Sequence, residues 1–104
     1  MKYLQVQWSA ASLQEANSVV EQALAKRLIA CAHIYPQVNS LFLWEGRVEK
    51  AQEVIVTMKS SSLHIERLKK VIQAGASYEV GEIIATELIY IEKAYLAWLN
   101  KSLV

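Results

Sequence analysis

The feature that most restricts this chain is a run from Leu28 to Trp44 with no Asp, Glu, Lys or Arg, followed at once by Glu45-Gly46 and a second extended run from Arg47 to Lys59. A membrane span is excluded for the first run. It holds His33, Pro36, Gln37, Asn39 and Ser40 and falls short of the ~20 apolar residues a span needs. Ile29 to Trp44 is rich in β-formers, and Gly46 supplies the positive φ of a tight hairpin turn. The returning run places Val54, Val56 and Met58 on one face and Glu53, Ile55 and Thr57 on the other. Pro36 has no N–H for a ladder, which predicts a bulge or an edge position there. At ~3.3 Å per residue, a hairpin from about Ile34 to Lys59 reaches beyond the elements around it. A projecting ribbon with so little charge invites pairing by another chain.

The remaining elements fall around that hairpin. Leu4, Val6 and Trp8 alternate against Tyr3, Gln5 and Gln7, which predicts a half-buried strand over Lys2 to Trp8. Ser12 and Glu15 have capping-box spacing, and Leu13, Ala16, Val20, Ala23 and Leu24 predict a helix to about Arg27. Ser60-Ser61-Ser62 supplies the cap of a second helix whose buried stripe is Ile65, Leu68 and Ile72, with Gly75 as its C′ stop. Glu82 to Tyr90 reads as a fourth strand. Ile91 to Leu103 reads as a last helix with Ile91, Ala94, Tyr95 and Trp98 inward. The order β-α-β-β-α-β-α gives an α+β class, a ferredoxin-like split βαβ sandwich. It has helices on one face of an antiparallel sheet, a long β-hairpin and an extra C-terminal helix, all in a single domain over 1–104.

Size and composition point to self-association. Hydrophobic residues make up 54% of the 104 and charged residues 20%, while a domain this small buries only ~60–65% of the surface its extended chain exposes. The surplus apolar surface belongs at a subunit interface. A net charge of +1 leaves no electrostatic footprint for nucleic acid or an anionic membrane. The single cysteine, Cys31, excludes an internal disulfide and a Cys-only zinc site. Met1 to Gln5 opens no apolar stretch of the export type, so the expected location is cytoplasmic.

Five blocks resemble the CutA, or divalent-cation-tolerance, family. They are Leu28-Ile29-Ala30-Cys31-Ala32-His33-Ile34 at the entry to the second strand, Ser40-Leu41-Phe42-Leu43-Trp44-Glu45-Gly46 at the hairpin, Glu53-Val54 through Met58-Lys59-Ser60, Tyr78-Glu79-Val80-Gly81-Glu82-Ile83, and Tyr95-Leu96-Ala97-Trp98-Leu99. They occur in order over nearly the whole chain. The resemblance implies a homotrimer whose long hairpins pair with neighbouring sheets, and a role in tolerance of divalent metals with copper bound by some members. This chain departs from the family pattern at Gly75-Ala76-Ser77, where His-Pro is common. It also has Gly81 in place of a proline, and Trp8 where some members carry a second cysteine.

Cys31 and His33 stand two apart on one strand and so share a face. Thiolate with imidazole suits Cu(II) or another divalent cation, with further ligands from Glu53 or from other copies. The structural alternative is a buried cysteine beside a hydrogen-bonded histidine, and a Cys-His nucleophilic pair is a third reading. His64 reads as a solvated residue of a helix's first turn. Glu79 and Glu82, with Glu53, form a candidate carboxylate cluster; their structural role would be to hold the turn around Gly81 or to pair with Lys59 across an interface. Phe42, Trp44, Tyr78, Tyr95 and Trp98 read as core and interface anchors. Trp44 is expected to secure the assembly and Trp98 the subunit core. No phosphate loop, metalloprotease helix or kinase signature is present, so no enzyme is expected. Two functions remain: a trimeric metal-responsive binding protein, or a trimeric signalling or scaffold module that takes a small molecule or partner protein in inter-subunit clefts.

Overall fold

Strand alternation is realised along β1 (Tyr3–Ala10), in which Val6, Trp8 and Ala10 point into a fully buried layer while Tyr3, Gln5 and Gln7 face the other way. The structure, a computed structural model, describes residues 1–104. β1 is central, antiparallel to β3 (Arg47–Ser61) from Tyr3↔Ser61 to Ala10↔Val54, and antiparallel to β4 (Ile83–Glu87) from Leu4↔Glu87 to Trp8↔Ile83. β2 (Cys31–Trp44) pairs with β3, giving the sheet order β2-β3-β1-β4. This is the expected α+β, ferredoxin-like arrangement. Helices α1 (Leu13–Ala25) and α2 (Ile65–Gly75) cover one face, burying Val19, Ala23, Leu68 and Ile72 against Val6, Trp8, Val56 and Met58. No helix is long and apolar enough to cross a membrane.

The hairpin forms as its residues dictate. Glu45 and Gly46 both take positive φ, 51° and 78°, the pattern of a two-residue type I′ turn whose twist suits the flanking strands. The register slips between Tyr35↔Ile55 and Val38↔Glu53, so Pro36 and Gln37 together oppose Val54, a β-bulge at the proline.

Several local expectations are corrected. Helix α1 stops at Ala25 because Arg27 adopts φ 56°. Arg27 N–H donates to Leu24 O and Leu28 N–H to Ala23 O, each at 3.0 Å, the crossed pair of a Schellman end with arginine in the usual glycine place. The serine cluster does not cap α2, because Ser60 and Ser61 continue β3 and are buried. Ser60 Oγ donates to Leu28 O at 2.7 Å, and Ser62 Oγ accepts from Lys2 N at 2.9 Å. His64 takes the N-cap position without a side-chain cap bond. It is 3% exposed rather than solvated, with Nδ1 on Ser61 Oγ and Nε2 2.7 Å from Val104 O. Gly75 is the last residue of α2, with Ala76 as C-cap, and it permits a close helix crossing: a Cβ there would lie 2.5 Å from Val19 Cγ2.

Strand β4 is also shorter than the expected Glu82–Tyr90. After Leu88 N–H donates to Tyr3 O at 2.9 Å the chain leaves the sheet, and Ile89 is 95% exposed. The last helix, α3 (Lys93–Ser102), starts after Glu92, whose carboxylate accepts from Ala94 N and Tyr95 N at 3.0 Å. Those two N–H groups hold the Glu92 carboxyl below its ordinary range. α3 does not join the other helices. Tyr95 reaches Cys31, and Tyr3 donates to Asn100 Oδ1 at 2.6 Å, both on the opposite face of the sheet. Leu99 is its buried residue, while Ala94, Tyr95 and Trp98 are exposed. Trp98 therefore does not belong to the subunit core; Trp8 does.

Candidate functional site

The sheet face away from α1 and α2 carries the polar partners of the core strands. Gln7 lies level with Thr57 and Ile84, and Ser9 level with Ile55. Over the Ser9 end of this face runs the segment from Ser77 to Glu82, and two carboxylates, Glu15 and Glu82, fasten it. Glu15 accepts from Ser77 N with Oε1 and from Ala11 N with Oε2, each at 3.1 Å. Its own N–H is capped by Ser12 Oγ at 3.1 Å. The capping-box glutamate thus joins the start of α1 to the segment after α2. Glu82 Oε1 accepts from Ser9 Oγ at 2.8 Å and from Gln7 Nε2 at 3.2 Å. Tyr78 sits near Glu53 and Glu15. Partial burial, then these two carboxylates, keep its hydroxyl above the ordinary phenol range.

Between this segment and the hairpin lies a cleft of about 800 Å³, within the size range of small-molecule sites. Trp44, Tyr78, Glu79, Glu82 and Glu53 all line it, joined by Phe42, Glu49 and Lys50. Residues far apart in sequence thus meet along one concavity. Lys59 and Trp98 lie elsewhere. Lys59 is level with Gln5 and Cys31 near the other end of the sheet, and Trp98 packs on Tyr95 with ring centroids 5.2 Å apart. None of the cleft carboxylates is in an ion pair, since the salt bridges of the chain are Lys2–Glu87 and Lys69–Glu66.

Cys31 and His33 do share the open face, being level with Lys59 and Thr57. Cys31 is half-buried with Sγ 3.5 Å from Tyr95 Oη, and His33 is exposed. The contact with Cys31, then partial burial, push the Tyr95 hydroxyl up to about 12. Glu53 is four residues along β3 from Thr57, about 13 Å at strand rise. No three His, Cys, Asp or Glu side chains converge to hold a metal ion. Cys31, His33 and Glu53 are therefore not gathered around one point within one chain.

Sequence reasoning missed Gln7, Ser9, Glu49 and the second bond of Glu15. Strand alternation alone places Gln7 and Ser9 on the open face. Nothing local announces the Glu15–Ser77 bond, which spans 62 residues.

Similarity to known proteins follows the same architecture. The divalent-cation tolerance protein CutA of Escherichia coli K12 (DH10B) is 32% identical over 88 residues, covering 85% of this chain and 79% of that protein. The CutA1 structure from Thermus thermophilus superposes with a TM-score of 0.94 at 27% identity, covering 98% and 99% of the two chains. A periplasmic divalent cation tolerance protein CutA from Archaeoglobus fulgidus superposes at 0.91 with 29% identity, covering 96% and 97%. The profile of the CutA1 divalent ion tolerance proteins matches residues 4–102, and the chain belongs to that family.

Proposed function

We propose that this divalent-cation tolerance protein works as a non-catalytic, self-assembled binding protein, a homotrimer, with the cleft beside the hairpin as its working surface. The observation that carries the reading is the hairpin itself. Leu43 and Val48, level with each other, are 75% and 66% exposed on one side of the ribbon, while Leu41, Phe42 and Trp44 line the cleft. The side that carries Leu43 and Val48 needs cover that one chain does not provide. Sedimentation velocity and native mass, with and without Cu(II), test this. Three chains per particle are expected, and Leu43→Glu should shift the mass downward. A lone wild-type subunit at low micromolar concentration overturns the assembly.

Copper at Cys31 and His33 requires further ligands from other copies, because one chain gathers too few. A second reading, a scaffold for a small molecule or partner, is favoured by the cleft, whose lining brings together residues from β1, both hairpin strands and the Tyr78–Glu82 segment. A reducing cytoplasm suits the free thiol of Cys31. The Archaeoglobus relative is described as periplasmic, and cell fractionation separates the two locations.

A further inference from the structure

We propose that the cleft binds an elongated organic cation, a diamine or polyamine, in preference to a bare metal ion; this rests on reading the cleft as the working surface. Glu49, Glu53, Glu79 and Glu82 line its walls with Lys50 as the one cationic residue among them, and no ion pair neutralises these carboxylates. Their placement decides between two kinds of cation. A metal ion draws its oxygen ligands to within about 2.0–2.6 Å of one point, and no such convergence exists here. Glu49 and Glu53 lie instead on one face of β3, four residues apart, about 13 Å by strand rise. Glu79 and Glu82 belong to the facing segment. That spacing matches positive charges distributed along a chain of methylenes.

The uncharged lining fits the same ligand. Phe42, Trp44 and Tyr78 present aromatic rings to the cleft, which attract ammonium groups through the ring quadrupole and accept methylenes as apolar surface. Glu82 is held through Oε1 by Ser9 and Gln7, which fixes one charge on that wall. Glu15 fixes the backbone of the same wall at Ser77.

Isothermal titration calorimetry of the full chain with spermidine tests the proposal, with 1,8-octanediol as the uncharged control and Zn(II) and Cu(II) as competitors. Saturable spermidine binding is expected, with none for the diol. Glu49→Gln/Glu79→Gln and, separately, Trp44→Leu should each weaken binding about tenfold. Thermal melts of both variants confirm that they fold. Absent spermidine binding overturns the proposal, as does binding that neither variant weakens or that either metal ion displaces at equal concentration. Sedimentation of the ligand-free chain separates this from the assembly reading. A trimer that ignores spermidine sinks only the cation, and a lone subunit that binds it sinks only the trimer.

Discussion

The two ends of the β2–β3 ribbon are built from similar residues and meet opposite fates. At the α1/α2 end, Val56 and Met58 are fully buried together with Trp8. At the far end, Leu41, Leu43 and Val48 stand in solvent on strands of the same sheet. Residue type does not separate them; the reach of the two helices does. α1 and α2 span 13 and 11 residues, about 20 and 17 Å, whereas β3 spans 15 residues, about 50 Å. Apolar patterning in a strand thus states a demand for cover without saying who meets it.

The sharpest way to break this contrast is to truncate a tryptophan at each end of the burial range. Trp8→Ala should cost about 3–5 kcal/mol of subunit stability, whereas Trp98→Ala, at 45% exposure, should cost under about 1 kcal/mol. Urea denaturation of the two variants measures this, and equal losses would mean that α3 carries core weight. Trp8 has a further peculiarity, an indole Nε1 buried without an acceptor. The missing bond sets about 1–3 kcal/mol against its packing, so Trp8→Phe should be far milder than Trp8→Ala.

A smaller effect probes how tightly the covering helices sit. Gly75→Ala pushes a methyl into Val19 Cγ2 and should destabilise by about 1–3 kcal/mol, the usual range for overpacking. A neutral result in thermal denaturation would show that α1 and α2 can separate without loss. The smallest effect is the alkaline behaviour of the open face. Tyr95 rises from 10.0 to about 12 on folding, so the fold favours its neutral phenol. The resulting stability is complete below pH 10 and is lost as pH climbs through about 12. Tyr95→Phe should flatten the stability curve in that window, and Tyr78, also raised, leaves a remainder.

Much of the fold was legible because its signals are periodic and local. Alternation marked β1 and β3, Glu45-Gly46 marked the turn and Pro36 the bulge. The cleft was half legible. Trp44, Tyr78, Glu79, Glu82 and Glu53 were singled out by residue type, and the fold brings all five together. The errors arose where a distant partner overrides a local rule. Ser60 and Ser61 look like helix caps, yet Ser60 is taken by the Leu28 carbonyl and Ser61 by pairing with Tyr3. His64 looks exposed from its place at a helix start, yet Val104 and Ser61 enclose it. Cys31, His33 and Glu53 share a face by parity, but parity carries no information about separation along the strand.

The bulge at Pro36 and Gln37 has one more implication. Side chains on a strand obey a two-beat rhythm, and the extra residue inserts a skipped beat halfway along β2. Were the ladder unbroken, Gln37 would stand opposite Glu53, and every later residue of β2 would change sides. Phe42 and Trp44 would then turn out of the concavity, and Leu43 would turn in. One inserted residue sets the chemical character of the wall that a ligand meets.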